Sequence, residues 1–446
     1  MTPAPARKLA LRALQRIRRD RAFSGAVLSA LLMEARLSAA DAALATRLVY
    51  GVLSTEGVLD EAIARHARGS LEPPVRDALR LGSFELLFAR TPGYAVVDQA
   101  VSAVRSARPR AAGLANAVLR RIAEEAPDFP WGDPDTDRDA LARATGHPRW
   151  IVDDMIGSLG EKRAREALAA GVEPAPTYVR LDPFMSPVEE TLRALAAAEP
   201  VGCEVDPDCF RLGVPSVAYG SSATTGYFSM DAASQLAPRA VGPSAGERVL
   251  DVGAGRGNKT VCLQAIAVRH GGPAAVTAVD LHENKAARLR SRLAGSGVPG
   301  VDVLAGDATD LVGLLADARF DGVLLDAPCS GLGTLRRYPE KRWRLAPTDP
   351  ARLAEVQHAM LAAAAAVVGE GGRLVYATCS TTRTENGDVV RGFLASPAGR
   401  RFALEPLSRA IPAEWERFVD PDGCFQSWPT SGGPDGHYVA LLRAGR

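Results

Sequence analysis

Histidine is scarce in this chain of 446 residues, with six copies, and no two of its six cysteines form a C-x-x-C pair. A structural zinc site is therefore not expected, and no metal is assigned to the chain. No apolar run approaches the roughly 18 residues needed to cross a bilayer, so no membrane partner is expected. A signal peptide's basic, apolar and small-residue regions are missing from the first residues. Internal repeats and low-complexity tracts are missing as well. Scattered thiols at Cys203, Cys209, Cys262, Cys329, Cys379 and Cys424 fit a reduced, cytoplasmic protein. Apolar residues make up 47% and charged residues 24%, ordinary values for globular domains, and the length calls for two or three of them.

Net charge is also nearly missing, at +1, but it is unevenly spread. Residues 1–130 carry 19 Lys and Arg against 13 Asp and Glu, for +6; residues 131–220 carry 9 against 16, for −7. A basic first part suits a polyanion, although arginines on amphipathic helices are more often a solvated face. Helical spacing runs through this part: Leu9, Ala13, Leu14 and Ile17, then Leu44, Leu48, Val49 and Leu53, then Leu79, Phe84, Leu87 and Phe88. An all-α bundle of six or seven short helices over 1–130 is expected. The turn formers of 126–134 then mark a linker. Residues 131–224 read as a small α+β linker domain, with helices near Trp150–Leu159 and Val188–Ala198 and a strand at Thr177–Leu181.

From 225 to 446 the pattern is strand, turn, helix, repeated. Strands are expected at Arg248–Val252, Ala275–Val279, Val301–Leu304, Gly322–Leu325 and Arg373–Tyr376, with helices between them. This is an α/β domain with a parallel sheet covered on both faces; Tyr438–Leu442 is expected as an edge strand. The first strand runs into Asp251-Val252-Gly253-Ala254-Gly255-Arg256-Gly257-Asn258-Lys259, a glycine-rich turn of the kind that lets backbone approach a nucleotide-like ligand. Asp280, Asp307 and Asp326 close the next strands. One carboxylate suits ribose hydroxyls and another an adenine amine. Three in register suit a cationic cofactor, S-adenosylmethionine, better than a dinucleotide, whose pyrophosphate they would repel.

Two further strand ends carry thiols: Asp326-Ala327-Pro328-Cys329-Ser330 and Ala377-Thr378-Cys379-Ser380. A thiolate adds to C6 of a cytosine and makes C5 nucleophilic; after methyl transfer, a base must remove the C5 proton before the thiol leaves. Cys379 and Cys329 are candidates for those two tasks, and Asp326 for the cytosine edge or a protonated N3. Residue type alone does not decide which thiol attacks. Thr382–Glu385 reads as a capping box for a following helix. Arg336, Arg337, Lys341 and Arg342, interleaved with Tyr338 and Trp343, suit RNA phosphates and base stacking.

The two cysteine motifs, with Glu385-Asn386 after the second, resemble the signatures of RNA cytosine-5 methyltransferases. The resemblance implies a Rossmann-like class I methyltransferase domain, Cys379 as nucleophile and Cys329 as the group that assists product release. Leu48–Leu53, Ala78–Gly82 and Asn116–Arg121 resemble the NusB-like RNA-binding bundle. The combination is similar to the RsmB (Sun/Fmu) subfamily, which methylates a cytidine of small-subunit ribosomal RNA. It implies 16S rRNA or a small-subunit precursor as partner and a monomeric enzyme. Methylation of tRNA or another RNA, and a non-catalytic RNA-binding factor, are the alternatives. The family's cofactor loop reads Ala-Ala-Pro-Gly-Gly-Lys-Thr; here Arg256 stands for Pro and Asn258 for a Gly, with Lys259-Thr260 kept.

Overall fold

The computed structural model describes residues 4–214, 226–407 and 411–445. They divide into two compact units, one of Met1–Pro174 with Leu335–Pro347, the other of Ala175–Thr334 with Thr348–Arg446. The division thus falls at 174, inside the stretch 131–224 read as a linker domain.

The first unit is helical: α1 (Pro5–Asp20), α2 (Ser24–Ala35), α3 (Ala39–Ala64), α4 (Pro73–Leu87), α5 (Gly93–Ala107), α6 (Ala112–Glu125), α7 (Arg138–Thr145), α8 (Arg149–Leu159) and α9 (Glu161–Ala170). The helices form because their apolar residues recur at helical spacing. On α1, Leu9, Ala13, Leu14 and Ile17 are all buried, against Leu48, Val49 and Val52 of α3.

Leu335–Pro347 belongs to this unit as a strap, with a single 3₁₀ stretch at Pro339–Trp343. Two of its charged groups, Glu340 and Arg342, answer helix ends. Glu340, buried, accepts from Ser24 N at 3.1 Å and Ser24 Oγ at 3.0 Å, placing a carboxylate on the start of α2. The Arg342 guanidinium donates to Gly146 O at 3.1 Å, beyond the end of α7, and to Gly171 O, beyond the end of α9. Both are carbonyls that a helix C-terminus leaves unpaired. Trp343 donates from Nε1 to Ser54 O at 3.2 Å, and only glycine fits beneath its ring: a Cβ on Gly57 would lie 2.1 Å from Cζ3. The RNA-contact expectation is corrected here. Arg342 is fully buried and Arg336 is 5% exposed, so neither faces a phosphate. Burial and the Arg342 charge also hold His147 well below the usual imidazole range, in its neutral form.

The second unit begins with β1 (Thr177–Leu181), α10 (Val188–Leu195), β2 (Pro200–Gly202), β3 (Cys209–Leu212) and β4 (Tyr227–Ser229). These strands make an antiparallel sheet in the order β2-β3-β1-β4. Its acidic residues are not left bare: fully buried Arg180 on β1 pairs with Asp206 at 2.8 Å and Asp208 at 3.1 Å.

Then follow α11 (Leu236–Val241), β5 (Arg248–Val252), α12 (Asn258–Arg269), β6 (Ala275–Asp280), α13 (Glu283–Ser296), β7 (Val301–Ala305), α14 (Leu311–Leu314), β8 (Phe320–Asp326), α15 (Asp349–Ala366), β9 (Val368–Thr378), α16 (Gly387–Ala395), β10 (Phe402–Glu405), β11 (Phe425–Gln426) and β12 (Tyr438–Ala444). Arg269 of α12 also binds Asp206, at 2.9 Å, and so ties the two sheets together. The large sheet runs β10-β12-β9-β8-β5-β6-β7, with β11 beside β12. Strands β5 to β9 are parallel neighbours, buried on both faces as their apolar runs require. From β5 the chain winds one way to β7, and from β8 the other way to β9. The β5–β8 boundary is therefore a switch point, where open α/β sheets place ligands. The edge-strand expectation for 438–442 is corrected: β12 lies inside the sheet, antiparallel to both β9 and β10.

Candidate active site

The carboxyl ends of β5, β6, β8 and β9 build the site. After β5, Gly253, Gly255 and Gly257 all take positive φ, at 82°, 57° and 81°, a region that costs glycine little. Two of them also have no room for a side chain. A Cβ on Gly253 would lie 2.4 Å from Asp326 O, and one on Gly257 would lie 2.2 Å from Leu289 Cδ1. Asp280, at the end of β6, accepts from Gly255 N at 3.1 Å, so one carboxylate fixes the turn. Asp307 lies past β7, exposed, where its Oδ1 accepts from Thr309 N at 2.9 Å and Thr309 Oγ1 at 2.8 Å.

The two residues that depart from the family's loop have their own brace. Arg292 of α13 donates to Asn258 Oδ1 at 2.6 Å and to Arg256 O. The Arg256 side chain is exposed, and Ala254 is buried beneath the turn.

Lys259, in the first turn of α12, meets Asp326 at 2.5 Å. Burial alone would depress its ammonium, but the Asp326 carboxylate more than offsets that and raises it. Cys379 lies close enough to feel the same ammonium. Asp326 thus stands between the glycine turn, through Gly253, and the cysteine loops.

The two thiols converge. Cys329 Sγ and Cys379 Sγ are 3.3 Å apart, and both residues are half-buried. Their strands are neighbours: Ala327 N donates to Ala377 O at 2.9 Å, and Gly333 N donates to Cys379 O at 3.0 Å. Contact with Cys379, burial, and the Cys379 and Glu385 charges raise the Cys329 thiol well above its ordinary value. Around Cys379, Asn386 accepts from Thr378 Oγ1 at 2.6 Å and donates to Ser380 O at 3.0 Å.

Asp251 was hidden from sequence reasoning inside the motif that contains it. It is fully buried; Oδ2 accepts from Thr260 Oγ1 at 2.6 Å, while Oδ1 has no hydrogen-bond partner among the described residues. Burial pushes it up to about 6. A buried carboxylate with one oxygen unpartnered among the described residues, beneath a glycine turn, suits a cationic ligand. Glu385 is the second residue whose role was not foreseen. It does not close the expected capping box; its carboxylate turns inward to the serines that follow the two cysteines.

Of the candidates, Gly253 to Lys259, Asp280, Asp326, Cys329 and Cys379 gather at these strand ends. Arg336, Arg337, Lys341 and Arg342 belong to the helical unit, and there Arg337 and Lys341 remain half-exposed.

Comparison with known proteins agrees with both halves of the chain. A family model for 16S rRNA methyltransferase RsmB/F matches residues 238–443, and one for the NusB family matches 4–124. The probable ribosomal RNA small subunit methyltransferase B of Bacillus subtilis is 30% identical over 99% of both chains. The ribosomal RNA small subunit methyltransferase B of Thermus thermophilus is 34% identical over 90% of this chain and 89% of its own. The crystal structure of PH0851 superposes with a TM-score of 0.80 at 25% identity, covering 99% of each chain. With relatives that match from end to end and a methyltransferase sheet behind an NusB-type helical region, the chain belongs to the RsmB/F family of 16S rRNA methyltransferases.

Proposed function

We propose that the protein is an S-adenosylmethionine-dependent RNA methyltransferase that forms 5-methylcytidine in 16S rRNA through a covalent adduct at Cys379. The observation that carries this reading is the pair of thiols 3.3 Å apart beside the Lys259–Asp326 pair and the glycine turn. Sulfurs this close can both meet a single pyrimidine ring.

The turn, Asp251, Asp280 and Lys259 would hold the cofactor, with Asp307 toward the adenine. When bound, the cofactor supplies a sulfonium methyl group to C5. Every other task falls to this chain. Cys379 Sγ bonds to C6, helped by the Lys259 ammonium, which favours a thiolate. Asp326 accepts from the cytosine edge and stabilises positive charge that develops at N3. Bonding of Cys379 to C6 removes the neighbouring charge that holds Cys329 protonated. Cys329, once its proton has left to solvent, takes the C5 proton as a thiolate, and the C6–Sγ bond of Cys379 then breaks, its electron pair returning to the Cys379 sulfur. Arg337 and Lys341, half-exposed, together with the basic helical region, would meet RNA phosphates. Such a substrate puts the enzyme's work in the cytoplasm.

Bisulfite sequencing of rRNA from a deletion strain tests the substrate. One methylcytosine in 16S rRNA is expected to disappear; an unchanged rRNA map would reject the ribosomal target and leave tRNA as the substrate to test.

Cofactor binding should depend on pH through Asp251. Its carboxyl sits at about 6, above an unfolded value of about 3.9, so it gains a proton as pH falls through 6 and loses its attraction for a cation. Affinity measured by calorimetry should fall about fourfold from about pH 7.5 to about pH 5.5. The dependence should vanish in Asp251→Asn. Equal affinities at both pH values in the wild type would remove Asp251 from the site.

A further inference from the structure

Glu385 touches the loops of both cysteines, whose serines also meet each other, Ser330 Oγ to Ser380 Oγ at 3.2 Å. Its carboxylate is fully buried. Oε1 accepts from Ser330 N at 2.7 Å and from Gln357 Nε2 at 3.2 Å; Oε2 accepts from Ser380 Oγ at 2.6 Å and from Ser330 Oγ. Ser330 follows Cys329 and Ser380 follows Cys379 in the chain. Gln357 also donates to Pro328 O at 2.8 Å, and Tyr376 donates to Glu385 O at 2.6 Å. Among the described residues, no Lys or Arg pairs with the Glu385 carboxylate. A buried carboxylate without a countercharge is costly to hold, and three hydrogen bonds from the two loops with a fourth from Gln357 of α15 are what hold it. Removing it leaves the Ser330 amide without its acceptor and the two serine hydroxyls with only each other, at 3.2 Å.

We infer that Glu385 is a positioning residue: it sets Cys329 and Cys379 in register so that one pyrimidine ring meets both sulfurs in a single encounter. The inference rests on the cytosine mechanism for its kinetic consequence, but not for its geometric one. If the clamp is lost, Cys379 still reaches C6, while Cys329 no longer meets the C5 proton.

The geometric test needs no RNA. A diazene dicarboxamide oxidant takes one hydrogen from each of two thiols, becoming a hydrazine while the sulfurs join. Sulfurs 3.3 Å apart need only close to a bond of about 2.05 Å. The full-length wild type should form the Cys329–Cys379 disulfide rapidly, read by peptide mass mapping. The mapping also keeps this bond apart from any between Cys203 and Cys209, which adjoin each other. Glu385→Ala should slow it about tenfold. Glu385→Gln, of the same length and still an acceptor, should stay within a factor of about three. Glu385→Asp, one methylene short of both serines, should behave as the alanine variant does.

In methylation assays Glu385→Ala should lose about a hundredfold in kcat at unchanged KM for RNA, accumulate the covalent RNA adduct, and be rescued in large part by Gln. Wild-type cross-linking in Glu385→Ala, or Asp matching Gln, would overturn the inference; so would adduct and turnover falling together. Should the alanine variant not fold, the Gln and Asp pair still decides. A wild type that cross-links in this order but methylates no cytidine refutes the cytosine reading while the clamp stands.

Discussion

Cys379→Ala should lose methyl transfer by about four orders of magnitude or more and form no covalent RNA complex, because the sulfur proposed to bond to C6 is gone and Cys329, on the neighbouring strand end, is placed toward C5. Cys329→Ala should behave in the opposite way. Its attacking sulfur is intact, so the C6 bond forms and the methyl group transfers. The base that takes the C5 proton is gone, so the adduct persists and appears as a protein–RNA band stable to denaturant. The 3.3 Å contact between the sulfurs makes this contrast sharp, since truncating either side chain leaves the other in place on its own strand end. Denaturing gels with 16S rRNA fragments give the answer directly. An adduct formed by Cys379→Ala would reverse the two roles.

The second large effect is on stability, and it falls in the helical unit. Arg342→Met keeps much of the side-chain volume but removes every donor that the guanidinium offers to Gly146 O and Gly171 O. Two helix ends then lie buried without partners, at a cost of roughly 3–5 kcal/mol. For a unit of this size that lowers the melting temperature by roughly 10 °C. Trp343, adjacent in the strap, reports the change through its fluorescence. Gly57→Ala should displace the same indole from the other side, because a Cβ there would stand 2.1 Å from its ring. A melting curve for Arg342→Met that overlays the wild type would show that the carbonyls find other donors.

The strap is also where local sequence misleads. Arg336, Arg337, Lys341 and Arg342 with two aromatics have the composition of a nucleic-acid face. What turns Arg342 inward is a set of carbonyls at residues 146 and 171, which no local pattern of charge and aromatics reveals. Long-range pairing hides β12 in the same way: an apolar run near the end of a sequence reads as an edge, and only its partners on both sides make it interior. Glu385 satisfies the spacing of a capping box, yet two serines some distance away in sequence offer it more hydrogen bonds than its own helix start does. By contrast, the parallel strands, the glycine turn and the meeting of the two cysteine motifs were legible. Each is written in a few contiguous residues, and the right-handed βαβ rule brings such strand ends to one side of a sheet. Asp251 lay in plain view within its motif; its burial was what sequence left out.

Strand β9, whose last residue precedes Cys379, gains its second neighbour only from residues 438–443. Until those residues are made, the strand that leads into Cys379 has one flank bare. A polypeptide that stops before residue 438 carries an open strand edge beside the two thiols, a ready template for pairing with another chain.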